Sequence, residues 1–290
     1  MQNVRGIILM VAAMVGFALA DGFIKLATTT LPNGQILIVM GLGGTIVYLA
    51  ICLWRREKII SQTFFSPMIL LRNVAESIGA FAFITAFALT DMSSSAAIMQ
   101  VSPLLITLLA VLFLGEKVGL RRWSAITVGF FGVLLVIRPG GDSFEANSLF
   151  AVLGTVMLSV RDVATRAAPQ NVSTPLMALY AFVLIIPTGI IVLLWEDPAQ
   201  IPDAQTTAYL IATIFFMTLS YFAVTTSVRI AEISVVAPFR YSRIIFAMAV
   251  SLIIFKERPD TITYLGIILI VGSGIYAYVR ERQAAPASHT

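Results

Sequence analysis

The sequence is poor in the side chains that most enzymes use for covalent or metal chemistry. It contains one histidine, His289, and one cysteine, Cys52. A single histidine excludes most zinc sites and every Ser-His-Asp or Cys-His mechanism, and a single cysteine excludes an internal disulfide. No Gly-x-Ser-x-Gly elbow or carboxylate-rich metal motif is present either. We therefore expect no enzyme, no metal and no cofactor.

Charge is also scarce, because only 12% of the residues are charged whereas 59% are hydrophobic. The mean hydropathy is +0.94. A soluble protein of this length must keep much of its exterior polar, so the composition indicates an integral membrane protein with the lipid bilayer as partner. The net charge is +4, but no basic run is interleaved with aromatics. The positive-inside bias of membrane loops explains this charge better than binding to nucleic acid does.

Long apolar stretches predict the membrane spans, since a helix needs about 20 mostly apolar residues to cross the hydrocarbon. The first stretch is too long and too weakly basic at its start for a cleaved signal peptide. If both termini are placed in the cytoplasm, most of the lysines and arginines of the loops fall on the cytoplasmic side. This distribution predicts a multi-pass protein of the cell inner membrane with both termini cytoplasmic. The ten predicted spans are 4–26, 34–53, 67–89, 93–114, 123–137, 148–167, 174–195, 207–229, 233–255 and 262–279.

An internal repeat relates the two halves of the chain. A shift of 141 positions superimposes five charged positions without a gap: Asp21 on Asp162, Lys25 on Arg166, Asp91 on Glu232, Glu116 on Glu257, and Lys117 on Arg258. Each half holds five spans, an odd number, so the second half must enter the membrane in the opposite sense. The predicted fold is thus an all-α membrane protein of ten transmembrane helices in two inverted repeats, a pattern common among secondary transporters.

Two segments of the first half resemble a known family. They are Ser102-Pro103-Leu104, followed by Leu112-Phe113-Leu114-Gly115-Glu116-Lys117, and the Gly129 to Pro139 region ending Val136-Ile137-Arg138-Pro139. Together they are similar to the EamA-type branch of the drug/metabolite transporter superfamily. The second half departs from the pattern, because Arg243 and Ile244 stand where Ser102 and Pro103 would repeat.

The resemblance implies a carrier with alternating access and a central cavity between two EamA repeats, here residues 1–141 and 142–282, followed by a polar tail, 283–290. Family members move amino acids, riboflavin, S-adenosylmethionine and other metabolites, so we expect a small-molecule substrate such as an organic zwitterion or anion. Proton or ion coupling, import or export, and a monomeric or homodimeric state remain open. A membrane-embedded enzyme acting on a lipid, or a channel, are the alternatives.

Ionisable residues inside spans are costly in a bilayer and are therefore the first functional candidates. Arg243 is expected to bind an anionic or carbonyl-bearing part of the substrate, or else to pair with Glu76. Arg240, three residues before Arg243, is expected to share its helical face. Glu76 is also a hypothetical proton-coupling group, and Arg72 is placed to pair with it along the helix.

The repeated Asp-x-x-x-Lys/Arg motif is expected to form gates or structural ion pairs rather than substrate contacts. In it each acid precedes a base by four residues, the favourable order for a pair along one helix. Its members are Asp21 with Lys25 and Asp162 with Arg166. The remaining candidates for substrate binding offer charge, hydrogen bonds or aromatic faces, and they are Arg161, Gln100, Tyr221, Phe239 and Tyr241.

Overall fold

Helices make up all the regular structure of the described residues. The computed structural model describes residues 2–59, 62–114, 120–138, 146–169, 172–231 and 237–284. In the first half the helices are α1 (Gln2–Ala27), α2 (Asn33–Trp54), a 3-10 turn (Gln62–Phe65), α3 (Pro67–Leu89), α4 (Met92–Met99), α5 (Ser102–Leu114) and α6 (Leu120–Ile137). In the second half they are α7 (Ser148–Ala167), α8 (Thr174–Leu193), α9 (Ala204–Ile230), a 3-10 turn (Ala237–Tyr241), α10 (Ser242–Val250), a π-helical turn (Ser251–Phe255) and α11 (Thr261–Ala284).

Seven helical segments within the described residues are long and apolar enough to cross a membrane. They are Val4–Ala27, Asn33–Trp54, Pro67–Leu89, Met92–Phe113, Ser148–Thr165, Thr174–Leu193 and Ala204–Val224. These confirm seven of the predicted spans. The predicted fifth and tenth spans correspond to shorter apolar helices, Trp123–Ile137 and Thr261–Tyr276. The predicted ninth span is described from Ala237 and is divided among three helical pieces, so the count of ten stays a prediction.

The strongest packing contacts join helices of different repeats. Helix α1 packs along α9, and its counterpart α7 packs along α3. Helices α1 and α7 are equivalent in the two repeats, and so are α9 and α3. The α1–α9 contact is therefore equivalent to the α7–α3 contact. The contacts α2–α8 and α6–α11 each join a helix to its own equivalent in the other repeat. Such equivalence is what a two-fold relation between the repeats requires, and it places the functional candidates along the junction between the two halves.

The fourth and ninth spans are interrupted at corresponding positions. Helix α4 ends at Met99 and α5 begins at Ser102, while α10 begins at Ser242 after a 3-10 turn that ends at Tyr241. Pro103 accounts for the first break, because proline cannot donate a backbone hydrogen bond to the preceding turn. The Gln100 amide nitrogen donates to the Tyr241 carbonyl at 3.1 Å across a separation of 141 residues. This bond therefore joins two repeat-equivalent positions across the junction of the two halves.

Close approach of backbones explains two glycine pairs at the self-paired contacts. A Cβ atom on Gly34 would lie 2.7 Å from the carbonyl oxygen of Gly189, at the crossing of α2 and α8. A Cβ atom on Gly132 would lie 2.8 Å from the carbonyl oxygen of Gly266, at the crossing of α6 and α11. Small residues are typical of such crossings in membranes, where van der Waals packing holds helices together.

Candidate functional site

An ion pair at the junction links α1 to α10. Arg243, the second residue of α10, donates to Asp21 Oδ2 at 2.6 Å. The two side chains are 19% and 11% exposed, respectively. The Phe17 ring centroid lies 5.1 Å from the Arg243 guanidinium carbon, in the range of a cation–π contact. The helix break before Ser242 and the packing of α1 against α10 bring these groups together.

A second group of charges lies between α3 and α7. Glu76 Oε1 accepts from Arg161 Nη1 at 3.0 Å, and Glu76 Oε2 lies 3.4 Å from Arg72 Nη2. Arg161 also binds its neighbour Asp162, at 2.8 Å. Arg72 is 2% exposed and donates to the Met177 carbonyl on α8 and the Tyr221 hydroxyl on α9, at 3.0 and 3.1 Å. Two acids balance two bases, so this cluster carries no net charge when all four groups are ionised.

Helix α3 also carries buried polar atoms with no hydrogen-bond partner among the described residues. Four of the five lie within two turns of the helix and are Arg72 Nε, Asn73 Nδ2, Ser77 Oγ and Glu76 Oε2, whose one near neighbour is the Arg72 guanidinium at ion-pair distance; the fifth is Thr85 Oγ1. Asn73 is fully buried, and Ser77 is 5% exposed. A buried polar atom without a hydrogen-bond partner is costly in a native structure. A bound water or ligand would supply the missing partner.

A denser set of contacts closes the end of the junction near the last turn of α1. Glu257 Oε1 accepts from Lys25 Nζ at 2.7 Å and from the Met92 amide at 3.0 Å. Its other oxygen, Oε2, accepts from the Ser93 amide at 3.1 Å and from Ser251 Oγ at 2.5 Å. We call these residues the Glu257 latch. The carboxylate thus binds the N-terminus of α4, where the helix dipole favours negative charge.

Lys25 and the neighbouring carboxylates set the electrostatics of the latch. Lys25 Nζ also donates to the Thr90 carbonyl at 2.7 Å and lies 5.1 Å from the Phe255 ring centroid. Burial acts to raise the pKa of Glu257, but the bonds from Lys25, Ser251 and the α4 amides outweigh it and lower the pKa. Burial, followed by the charge of Glu257, raises the pKa of Asp91, which Lys25 partly opposes.

Among the described residues, four ion pairs cross from one repeat to the other. They are Asp21–Arg243, Glu76–Arg161, Lys25–Glu257 and Arg138–Asp260. The last pair is the most exposed, with Asp260 49% accessible. Removing charges from water is expensive, and a buried pair contributes little net stability compared with packed apolar groups. Buried pairs at a junction between two halves are therefore weak stabilisers and good candidates for function.

Two expected pairings are wrong. Arg243 binds Asp21 and not Glu76, because α10 packs against α1 while α3 packs against α7. Asp21 and Lys25 do not pair along their helix, since Asp21 binds Arg243 and Lys25 binds Glu257. The expected Arg72–Glu76 contact is confirmed, although Glu76 lies closer to Arg161.

The other sequence candidates divide between the junction and its surroundings. Gln100 and Tyr241 are both buried and are joined by the hydrogen bond at the helix breaks. Phe239 packs beside the small apolar cluster around Met10, and Arg240 is exposed, so Arg240 does not share the half-buried environment of Arg243. The side chain of Arg166 and the residues Glu116, Lys117 and Glu232 lie outside the described residues.

The sequence did not predict the Glu257 latch or the contact of the Phe17 ring with the Asp21–Arg243 pair. In the sequence, Glu257 is distinguished only as the residue equivalent to Glu116 under the shift of 141 positions. The presence of an acid at this position in both halves is the signal that points to it. Phe17 and Asn73 carry no such signal, because their roles depend on which helices pack together. Groups of three or more histidines, cysteines or acids suited to a metal do not occur among the described residues.

The comparison with protein families decides the class of the molecule. The EamA-like transporter family matches residues 4–138 and 147–279, one match in each half. The chain belongs to this family. It is therefore a membrane transporter and not an enzyme, and its relatives indicate a small metabolite as substrate.

Several curated EamA relatives are similar to this chain at low identity. The pseudopaline exporter CntI of Pseudomonas aeruginosa is 26% identical over 270 residues, which cover 92% of this chain and 93% of the exporter. A riboflavin transporter of Vibrio cholerae is 28% identical over 176 residues, or 60% of this chain and 58% of that protein. An S-adenosylmethionine uptake transporter of Rickettsia conorii is 23% identical over 193 residues, or 64% of this chain and 63% of the other.

A solved crystal structure shares the fold of this EamA chain. It matches with a TM-score of 0.64 at 17% sequence identity, covering 94% of this chain and 98% of the other. At this identity the likeness shows the fold alone.

Proposed function

We propose that this EamA protein is a secondary carrier that moves a small zwitterionic metabolite across the inner membrane by alternating access. The observation that carries the proposal is that its buried ion pairs join one repeat to the other. Movement of one half relative to the other must break or exchange these ion pairs. A ligand that forms ion pairs with the same side chains therefore favours the movement. Carriers with inverted repeats place their substrates at this junction.

The chemistry of the Asp21–Arg243 pair supports a zwitterion over a neutral or singly charged substrate. Leaving one partner of a buried pair without a counter-charge costs about 3–5 kcal/mol. A ligand with both a carboxylate and a cationic group pairs with Arg243 and Asp21 at once, and neither charge is stranded. Phe17 then offers an aromatic face beside the guanidinium. Relatives with the names pseudopaline exporter and S-adenosylmethionine uptake transporter support a small organic substrate in general.

The unpartnered polar atoms of α3 support a hydrated or ligand-binding surface on the other side of the junction. Glu76 and Arg161 contribute one acid and one base from different repeats, as Asp21 and Arg243 do. At 1.5 Å per residue, Asp21 lies about 9 Å from the end of α1 and Glu76 about 14 Å from the start of α3. Because α1 and α3 run in the same direction, the two pairs lie at different depths along the transport path.

In this proposal the Glu257 latch is the closed gate at one end of the path. The latch ties the end of α1 and the start of α4 to the turn before α11, which belong to different repeats. Basic residues near the opposite ends of the helices, such as Arg55 and Arg56, support cytoplasmic termini. The latch then closes the periplasmic side.

The test is substrate counterflow by the purified protein in liposomes. Vesicles preloaded with zwitterionic metabolites of the amino-acid type, or with S-adenosylmethionine, are exposed to the same compound in labelled form. We expect saturable uptake that the internal compound stimulates. Arg243→Ala and Asp21→Asn are each expected to reduce the initial rate about tenfold or more, because each strands a partly buried charge.

Arg138→Gln is the matched control, because it neutralises an arginine in the exposed inter-repeat pair with Asp260. It should leave the rate unchanged. Equal loss of rate in Arg138→Gln and Arg243→Ala contradicts the assigned site. Unsaturable flux without counterflow stimulation indicates a channel, and chemical conversion of the labelled compound indicates an enzyme; either outcome contradicts the carrier proposal.

Proton coupling through Glu76 is a separate proposal about the driving force. Glu76 contacts bases on two helices, so a change in its charge would alter both contacts. Transport by Glu76→Gln is expected to lose its dependence on an imposed proton gradient while counterflow continues. Full gradient dependence in this variant removes Glu76 from the coupling role.

A further inference from the structure

An apolar groove of about 330 Å³ lies between α2 and α8, and the residues that line it do not include the ion pairs of the candidate site. Its lining residues are Thr45, Leu49, Ile59, Phe64, Phe65, Leu179, Tyr180 and Val183. The Tyr180 hydroxyl donates to the Ile59 carbonyl at 2.8 Å, and the Phe64 and Tyr180 rings meet edge to face at 4.9 Å. These contacts hold Ile59 and Phe64 against α8 at one end of the groove.

The groove has the depth of one membrane leaflet. Its deepest lining residue on α2 is Thr45, nine residues from the helix end at Trp54. Its deepest residue on α8 is Val183, nine residues from the helix start at Thr174. Both spacings correspond to about 14 Å, close to half of a hydrocarbon core about 30 Å thick. Trp54 and Phe65 are 83% and 72% exposed at the shallow end, where aromatic side chains mark the membrane interface.

Exposed cations surround the shallow end of the groove. Arg55, Arg56 and Lys58 follow α2 directly, and all three are exposed. The acid in this run, Glu57, accepts a hydrogen bond from Ser173 at the start of α8, so its carboxylate is already engaged. With three bases and one acid, the run of residues 55–58 has a net charge of +2 at the level where lipid headgroups lie. Basic clusters beside membrane helices attract anionic lipid headgroups.

We propose that this site binds one anionic phospholipid. Its acyl chain occupies the groove between α2 and α8, and its phosphate contacts Arg55, Arg56 and Lys58. A leaflet-deep groove accounts for one acyl chain of the lipid, and the net positive charge of residues 55–58 accounts for a preference for an anionic over a zwitterionic headgroup. The site is separate from the Asp21–Arg243 pair and does not depend on the transported substrate.

The test compares two lipids with identical acyl chains, phosphatidylglycerol and phosphatidylcholine, added to the full-length protein in detergent. A ligand that binds only the folded state raises its unfolding temperature. We expect phosphatidylglycerol to raise the unfolding midpoint by several degrees and phosphatidylcholine to raise it much less. Native mass spectrometry of the same samples should show one retained phosphatidylglycerol for each chain.

Arg55→Gln/Arg56→Gln is expected to abolish the difference between the two lipids. Lys256→Gln/Arg258→Gln is the matched control, because it neutralises two exposed cations on the turn before α11. It should retain the preference for phosphatidylglycerol. Val183→Trp fills the groove and should reduce retention of both lipids, whereas Ile211→Trp, at a site on α9 that is 63% exposed, should not.

Three results would overturn the proposal. The first is equal stabilisation of the unsubstituted protein by both lipids, and the second is a phosphatidylglycerol preference that survives in Arg55→Gln/Arg56→Gln. The third is a lipid-free dimer in the mass spectrum that Val183→Trp converts to monomer, which would show that a second copy of the chain covers the groove.

Discussion

Glu257→Gln is expected to open the latch without altering the fold. The substitution preserves the shape of the side chain but removes the charge that Lys25, Ser251 and the first amides of α4 share. The glutamine oxygen still accepts from some of these donors, but its nitrogen cannot accept from the others. Since the latch joins the two repeats, the loss should favour the conformation in which they separate at this end.

The size of the effect follows from the bonds that change. Lys25 and Glu257 are 16% and 9% exposed at their side chains, so water screens the pair weakly. Hydrogen bonds to charged groups contribute about 1.5–3 kcal/mol each. With part of the network retained by the amide, we expect a loss of about 2–3 kcal/mol, which corresponds to roughly a 30- to 150-fold shift toward the open state.

Thiol labelling measures this shift directly. Cys52, the buried native cysteine, is first replaced by alanine. Ala96→Cys then places a reporter one turn inside α4, below the amide of Met92, at a position that is 7% exposed. A membrane-impermeant maleimide added from the latch side should react with the reporter faster in Glu257→Gln by the factor estimated above.

Asp197→Asn is the control for Glu257→Gln, because it neutralises an exposed carboxylate on the connection between α8 and α9. Its labelling rate should match that of the reporter protein alone. Lys25→Met removes the other partner and should also accelerate labelling. Unchanged labelling in both Glu257→Gln and Lys25→Met, with the unfolding temperature preserved, would refute the role of the latch.

Three further predictions concern pH, packing and the helix breaks. The lowered pKa of Glu257 means that the latch is fully held above the ordinary pKa of 4.5 and is lost as pH falls through the lower folded value. Because maleimide reacts with the thiolate, whose fraction falls in acid, the labelling rate is divided by that of a free thiol at the same pH, and this ratio should rise only below pH 4.5. Gly34→Ala forces a Cβ to within 2.5 Å of backbone and should lower stability by about 1–3 kcal/mol in thermal unfolding, whereas Gly272→Ala, which meets nothing within 4 Å, should not. Gln100→Leu removes a buried side-chain hydrogen bond to the Tyr241 carbonyl and should cost about 0.5–1.5 kcal/mol in the same measurement, unlike Gln35→Leu, whose two lost bonds are at the surface.

Hydropathy and the internal repeat were sufficient to predict much of the fold. Apolar stretches located the seven segments long enough to cross a membrane, because lipid imposes a minimum length on each. At the offset of 141, Gln100 and Tyr241 occupy equivalent positions, and the structure joins them by a hydrogen bond. The structure interrupts the fourth span next to Pro103.

The partners of the buried charges could not be predicted from the sequence. Helical spacing describes which residues share a face of one helix, but it does not say which helix lies opposite. Arg243 binds Asp21 because α10 packs on α1, and Arg161 reaches Glu76 because α7 packs on α3. A long-range contact such as Lys25 with Glu257, 232 residues apart, depends entirely on this arrangement.

Cross-linking the latch tests most directly whether transport requires the two repeats to separate at this end. Lys25→Cys and Glu257→Cys are combined with Cys52→Ala, and a short bifunctional thiosulfonate joins the two thiols in liposomes. We predict that cross-linking stops counterflow and that a reducing agent restores it, relative to protein with the same substitutions left unlinked. Undiminished counterflow by fully cross-linked protein would contradict alternating access through this end.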